Sequence, residues 1–358
     1  MKRISNSGTM QIFGYILSLV MVLLIGSILI LIQGSNPIEA YLAIINGALG
    51  SRAAIASSIR WSIPVIIAAM ASVIATRSGI INLGLDGQIY LGAFTAALVG
   101  AFLPLPGIVH KLVAILLGGI AGLLFALIPA LLKACWKINE MVTTLMLNYA
   151  AVLFTEFFTI KLMGFGADTN PDMIATPEIL ETAKLIKLLP PYQASSGIFI
   201  GVTIFLIVYI LYKKTMVGYE WNMIGRNMKF AEYGGIKTIR NYIIVFLTSA
   251  FVAGICGAVE ILGPHARFRS YFSNNLGWDG IMVALIGKGD PLSTLVVSII
   301  WGMIKAGSLS MERTTSVNRI LVTLIQALFV LFVTIDYKSL FKDLKLRMPV
   351  KKERLVQR

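Results

Sequence analysis

Two pentapeptides in this chain set an acidic residue between glycines inside otherwise apolar sequence. They are Leu83-Gly84-Leu85-Asp86-Gly87 and Leu276-Gly277-Trp278-Asp279-Gly280. Glycine lets a chain leave helical geometry without steric cost. Aspartate accepts hydrogen bonds from the free N–H groups at a helix start. Each copy follows one apolar run and opens another, so each marks a place where a helix stops and restarts. Asp86 and Asp279 cap those restarts, line an internal cavity, or do both, since the two roles are compatible.

The elements that must carry these motifs follow from composition. Of 358 residues, 57% are hydrophobic and 13% charged, against about 25% charged in soluble domains. Mean hydropathy is +0.82. A soluble fold of this length cannot hide so much apolar surface, because the buried fraction rises only slowly with size. Soluble enzymes, nucleic-acid binders and disordered scaffolds are excluded together, which leaves an all-α polytopic membrane protein. Cys135 and Cys256 sit in apolar sequence with no disulfide or zinc spacing around them.

Crossing about 30 Å of hydrocarbon takes about 20 mostly apolar residues. Runs near 11–33, 61–76, 82–103, 110–132, 140–162, 197–212, 241–263, 280–288, 292–307 and 318–336 make about ten transmembrane helices, with 61–76, 280–288 and 292–307 short. Eight helices plus a re-entrant pair is the alternative count. The first run is a retained helix, since no cleavable leader pattern accompanies it. The net charge of +14 then records which loops stay inside. Lys2, Arg3, Lys133, Lys137, the 213–240 segment (Lys213, Lys214, Arg226, Lys229, Lys237, Arg240) and the 337–358 tail all fall on the cytoplasmic side if both termini are cytoplasmic. The 163–196 loop, with Asp168, Asp172, Glu178 and Glu181, then falls outside. On this reading residues 1–336 form the transmembrane domain and 337–358 a basic tail.

The first pentapeptide follows the second run and the second follows the seventh, so the two face opposite sides of the membrane. That is the pattern of an inverted repeat, spans 2–5 against spans 7–10. Non-helical backbone at membrane depth survives only where protein or water covers it, so both motifs belong to the interior.

No G-x-x-x-x-G-K-[ST] phosphate loop occurs, Gly287-Lys288-Gly289 being the nearest echo, and no His-Glu metal cluster. His110 and His265 read as isolated interfacial residues rather than ligands. Glu156 and Glu260 are the only carboxylates placed to relay protons, toward the outer ends of their spans. Ion-coupled carriage therefore draws little support. In the 213–240 loop, Trp221, Ile224, Met228, Ala231 and Tyr233 recur at roughly helical intervals, while Gly225 and Gly234-Gly235 divide the segment into two short helices. Such an element lies on lipid or docks in a groove on a soluble partner. The glycine breaks favour docking.

Four blocks of residues resemble a known family. Asn82-Leu83-Gly84-Leu85-Asp86-Gly87-Gln88 resembles the N-[IL]-G-x-[ED]-G-Q motif of permease subunits in ABC importers for nucleosides and simple sugars, the branched-chain amino acid/ribose/nucleoside type. The block from Asn139-Glu140-Met141 to Asn148-Tyr149 resembles their N-E-x-[IV]-x-T-[IL]-M-L-N-Y signature. Gly225, Asn227, Ala231 and Gly235-Ile236 resemble their ATPase-contacting loop, although Asn222-Met223 stand where an Arg-Ala pair is usual. Gly277-Trp278-Asp279-Gly280-Ile281 with Gly287 and Pro291 resembles their late motif. The resemblance runs from about residue 35 to 335 and implies a ten-helix fold like that of vitamin-B12-type importers.

It also implies a function. The chain would be the membrane-spanning subunit of an ATP-driven importer in a bacterial cell membrane, most simply for nucleosides, with ribose-like sugars as the alternative and an ion-coupled carrier or a non-transporting anchor as the competing classes. The chain itself would be no enzyme and need no cofactor or metal, ATP being consumed by a partner ATPase. The other partners implied are a second permease, identical or homologous, and an extracytoplasmic binding (lipo)protein. A neutral nucleoside needs hydrogen-bonding groups and apolar faces. The pathway candidates are Asn82, Asp86, Gln88, Phe94, Thr144, Asn148, Tyr149, Asn275, Trp278 and Asp279, each of which could instead join helix to helix. The coupling candidates are Trp221, Gly225, Arg226, Asn227, Ala231, Gly235 and Ile236.

Overall fold

The computed structural model describes residues 2–163, 175–270, 272–315 and 317–334. Asp168, Asp172 and the 337–358 tail lie outside the described residues. The helices are α1 (Lys2–Ile32), α2 (Pro37–Leu49), α3 (Arg52–Arg77), α4 (Leu85–Phe102), α5 (Gly107–Trp136), α6 (Glu140–Met163), α7 (Gly197–Lys214), α8 (Met216–Arg226), α9 (Met228–Tyr233), α10 (Thr238–Glu260), α11 (Leu276–Ile286), α12 (Pro291–Thr314) and α13 (Ile320–Thr334), with a π-helical turn at Ile261–His265 ending α10. The chain is an all-α polytopic membrane protein. Seven of these helices are long and apolar enough to cross a bilayer, or eight if α1 from Leu17 and α2 form one bent span, and α11 and α13 are shorter apolar helices.

Each of the ten apolar runs is a helix. α2 was not among them. Its Asn36 side chain accepts from the Ile38 N–H at 3.0 Å and Pro37 starts the helix, a common entry pattern. At 13 residues it is too short to cross a bilayer by itself, so a search for full-length spans passes over it. α11 is the other departure. Eleven residues rise only about 16 Å, half of what a crossing needs.

The described residues form two compact units, those within 1–40 and 316–358 and those within 41–315. In the smaller, α1 packs on α13. In the larger, α3 and α10 are the interior helices. α3 is buried almost continuously from Ser62 to Ala75, because its outward positions are small or β-branched and meet α10, α11 and α12. α5, α6 and α7 turn large apolar side chains outward, among them Leu116, Leu124, Leu153, Phe157 and Ile207, as lipid-facing helices do.

With no hydrophobic drive between helices in lipid, close packing has to come from small residues. The seam of α4, α5 and α10 shows it. A Cβ at Gly92 would run into the Gly254 backbone, one at Gly122 would stand 2.7 Å from the Ala250 carbonyl oxygen, and one at Gly118 would stand 2.9 Å from the Gly92 carbonyl oxygen.

The far end of this unit is covered by part of the loop after α6. Its backbone is fastened by Thr176 N–H to Phe268 O (2.9 Å), Ile179 N–H to Ala266 O (2.9 Å), Leu180 N–H to Gly100 O (2.8 Å) and Leu185 N–H to Leu262 O (2.7 Å). Lys184 donates to Glu178 at 2.7 Å, and Arg267 does so at 3.3 Å. The hydrogen bond from Lys184, then its charge, holds the Glu178 carboxyl below its ordinary value. A lowered carboxylate contributes its stability above the unfolded value and loses it as pH falls through the folded one. This exposed clip is therefore intact at neutral pH and opens only in acid.

Gly254→Val should lower the thermal midpoint of the detergent-solubilised protein, because overpacking costs about 1–3 kcal/mol or more. Gly107→Ala, where the nearest atom to a new Cβ is 3.8 Å away, should leave the midpoint unchanged.

Candidate functional site

The two pentapeptides meet. α3 stops at Arg77, residues 78–84 run on without regular structure, and α4 starts at Leu85. Residues 266–270 and 272–275 lie without regular structure between the π turn and α11, which starts at Leu276. Asp86, in the first turn of α4, accepts from the Ser273 hydroxyl at 2.6 Å and from the Gly277 N–H at 3.2 Å. The Ser273 hydroxyl oxygen accepts from the Leu276 N–H at 3.2 Å. The carboxylate of the first motif therefore caps the helix opened by the second. A Cβ at Gly277 would collide with Asp86, standing 2.9 Å from its Cβ, and one at Gly280 would stand 2.6 Å from the Ala68 carbonyl carbon on α3. Glycine is required at both because backbone passes there.

From this junction the two helices run apart. α4 ends where Gly100 meets Leu180 of the covering loop. α11 ends at Gly287, just before Asp290, whose carboxylate lies 3.8 Å from Arg77 and 3.6 Å from Lys213. Two helix N-termini thus face one another inside the unit, a geometry that concentrates positive dipole ends at one place. Asp290 itself caps α12, accepting from the Ser293 N–H at 3.2 Å. Partial burial opposes its charge, but the Ser293 N–H and hydroxyl, then Lys213 and Arg77, hold its carboxyl below the ordinary value.

Most of the polar pathway candidates spend their hydrogen bonds on this break. Asn82 Oδ1 accepts from the Gly84 N–H (3.0 Å) and from Gln88 Nε2 (3.2 Å), while its Nδ2 donates to Gln88 Oε1 (3.0 Å) and to the Ser249 hydroxyl (3.3 Å). Asn148 donates to Leu83 O at 2.7 Å and accepts from the Gly87 N–H at 2.9 Å. Thr144 donates back to Glu140 O at 2.7 Å and packs on Gly84. Phe94 is buried, with its ring centroid 5.5 Å from that of Phe268, which in turn packs on Tyr90 and Phe272. Tyr149 lies apart on the outer surface of α6, 67% exposed. Asn275 is exposed at φ 64°, the left-handed residue before α11, and Trp278 is half-buried.

A charged cluster that apolar patterning does not reveal lies beside the junction. Asp279 accepts from Trp301 Nε1 at 3.1 Å and pairs with Lys305. Arg60 pairs with Glu260 at 3.0 Å, and His265 Nε2 lies 3.3 Å from the same carboxylate oxygen. Arg60 lies over the Trp61 ring at 4.0 Å, and Lys305 reaches that ring at 5.4 Å. His265, expected as an isolated interfacial residue, therefore stands against the buried Arg60–Glu260 pair. It is carried inward by the π turn, which hydropathy does not reveal. The sequence signal for the others was a lone Arg and a lone Lys within apolar helices, and intramembrane charges face the interior and mark function.

The 213–240 segment lies at the other end of α3. α8 runs unbroken through Gly225, and the break falls at Asn227, whose Oδ1 accepts from the Phe230 N–H at 3.0 Å to cap α9. The sequence expectation placed the break at Gly225. That glycine instead lets α8 approach α3, since a Cβ there would collide with the Arg77 carbonyl oxygen and stand 2.9 Å from Gly79 N. Trp221, Ile224 and Ala231 are buried, and Trp221 donates to Asn241 at 3.2 Å. The helical-interval face divides here, because Met228 and Tyr233 point outward with Phe230. Arg226 is exposed, Gly235 turns the chain out of α9 at φ +81° with nothing within 4 Å of an added Cβ, and Ile236 is half-buried.

The model of the family described as "Branched-chain amino acid transport system / permease component" matches residues 54–333. The chain belongs to that family, a group of transport-system permease components. Among curated proteins it is similar to the guanosine ABC transporter permease protein NupP of Bacillus subtilis (strain 168), 28% identical over 93% of this chain and 95% of that protein. It is similar to the nucleoside ABC transporter permease protein NupB of Lactococcus lactis, 25% identical over 93% of each. It is also similar to the glucose ABC transporter permease protein TsgB13 of Haloferax volcanii, 26% identical over 88% of this chain and 85% of that protein.

Removing Lys305 by Lys305→Met should leave Asp279 buried without its cation and cost about 3–5 kcal/mol. Adding Asp279→Asn should recover most of that loss, read as thermal midpoints of the two variants in detergent. Additive losses would mean the pair is not coupled.

Proposed function

We propose that this chain is the membrane-spanning subunit of an ATP-driven importer of nucleosides. A binding (lipo)protein hands nucleoside to the outer mouth, a second permease subunit, identical or homologous, completes the pathway, and ATPase subunits grip the inner face at α8 and α9. Both termini and the basic 213–240 segment face the cytoplasm of a bacterial cell, following the distribution of Lys and Arg. Family membership and the two relatives named for nucleosides support the substrate class. The relative named for glucose makes sugar the competing reading.

One observation carries the mechanism. Gly225 of α8 rests on the last turn of α3, and the next residues of the chain are the break that leads to Asp86. The exposed Met228, Phe230 and Tyr233 give an ATPase an apolar patch to hold. Movement of that patch is passed through a glycine-to-backbone contact with no flexible side chain between. It reaches the junction where α4 and α11 begin. Because α4 and α11 run from the junction toward opposite ends, shifting it opens one side as it closes the other.

Uptake of labelled nucleoside by cells lacking this chain, with the ATPase retained, should fall to background, and unlabelled nucleoside should outcompete glucose or ribose in cells that have it. Unchanged uptake in the deletion would defeat the proposal, and competition by sugar alone would move the substrate to that class. Gly225→Leu should insert normally and leave ATP hydrolysis by the assembled complex measurable while cutting uptake at least about tenfold, which corresponds to a loss of about 1.4 kcal/mol in coupling.

A further inference from the structure

Every carboxylate in the central cluster has protein partners, and one donor does not. Glu260 is met by Arg60 and His265, Asp279 by Lys305 and Trp301, and Asp86 by Ser273 and Gly277. Arg60 is 8% exposed, and its Nη1 is buried with no hydrogen-bond partner among the described residues. A buried unsatisfied group of a charged side chain is costly and calls for an explanation. The guanidinium cannot shed its charge, and it is not free to turn away. Its Nη2 is held by Glu260 at 3.0 Å and its plane lies on Trp61 at 4.0 Å. The same ring is half-buried and is approached by Lys305. The result is a fixed donor, with no acceptor for its Nη1, mounted beside an aromatic surface that Lys305, the partner of Asp279 in the first turn of α11, also approaches.

We propose that Arg60 reads the base of the transported nucleoside, selecting purines that carry a 6-oxo group over those that carry a 6-amino group. This inference rests on the nucleoside reading above. Arginine offers only N–H donors. The 6-oxo oxygen and N7 of such a purine are adjacent acceptors that a guanidinium can satisfy, the pairing that makes arginine the commonest reader of guanine edges. A 6-amino group in that place sets donor against donor. The Trp61 indole, on which the guanidinium already lies, extends an apolar surface beside it for the base. The missing partner of Nη1 is thus supplied by the cargo.

The test is uptake into proteoliposomes holding the complete importer, with the binding protein pre-saturated with labelled inosine or labelled adenosine so that its own preference drops out. These two nucleosides differ only in the 6-substituent and the proton on the adjoining N1, and share N7 and the ribose. Wild type should move inosine about tenfold or more faster than adenosine. Arg60→Lys, which keeps a cation for Glu260 and a donor, should retain a reduced preference. Arg60→Gln with Glu260→Gln, which replaces the ion pair by an amide pair, should bring the ratio to within about threefold, since an amide donates and accepts. The ratio, unlike total uptake, is not moved by a merely structural defect. Equal wild-type rates for inosine and adenosine would overturn the inference alone, as would an unchanged ratio in the double variant. Failure of wild type to move either nucleoside would overturn the nucleoside reading itself and the inference with it.

Discussion

The hydrogen bonds of Asp86 are the interaction on which the rest of this molecule depends. Hydrocarbon offers no water to an open helix end, so a chain that breaks its helices inside a membrane has to satisfy the exposed N–H groups from its own side chains. Asp86 does this across the repeat, taking the Ser273 hydroxyl and the Gly277 N–H, and Asn82 and Asn148 do it for the irregular chain between α3 and α4. The glycines at 277 and 280 follow as a consequence, because the cap works only if the α11 backbone comes close to α4 and α3.

A rigid junction is useful only if it can be moved as a piece. The contacts that reach it are backbone against backbone: Gly225 on Arg77, Gly280 on Ala68, Gly277 on Asp86. Contacts of this kind transmit a displacement without the slack of a long side chain. Arg77, Lys213 and Asp290 add an electrostatic tie at the same end, where α3, α7 and the start of α12 come together.

The charged cluster beside the junction has a different character. Ion pairs of this burial return little net stability, because desolvation consumes most of their attraction. Arg60 with Glu260 and Lys305 with Asp279 are better understood as fixing where polar groups stand within an apolar bundle. They join α3 to α10 and α11 to α12, with Trp61 beneath both cations.

Much of this was legible in the linear chain, for physical reasons. Hydropathy identifies helices because lipid demands apolar surface and closed backbone hydrogen bonding, and the ten runs all proved helical. The paired Gly-x-Asp-Gly motifs announced two breaks because glycine and aspartate at membrane depth have few other uses. What the chain alone could not say is which partner each polar group would choose. Asn82, Gln88 and Asn148 read equally as groups that meet a solute or join helices, and their amides are engaged at the break. Gly225 reads as a break between two short helices and is a point of contact inside one. His265 looked solitary and is paired with Glu260. Periodicity and composition are local properties, set by the repeat of a single helix, whereas the meeting of Asp86 with Gly277, of Gly225 with Arg77 and of Arg60 with Glu260 joins residues as many as two hundred positions apart. Only the packing of helices against one another decides those pairs.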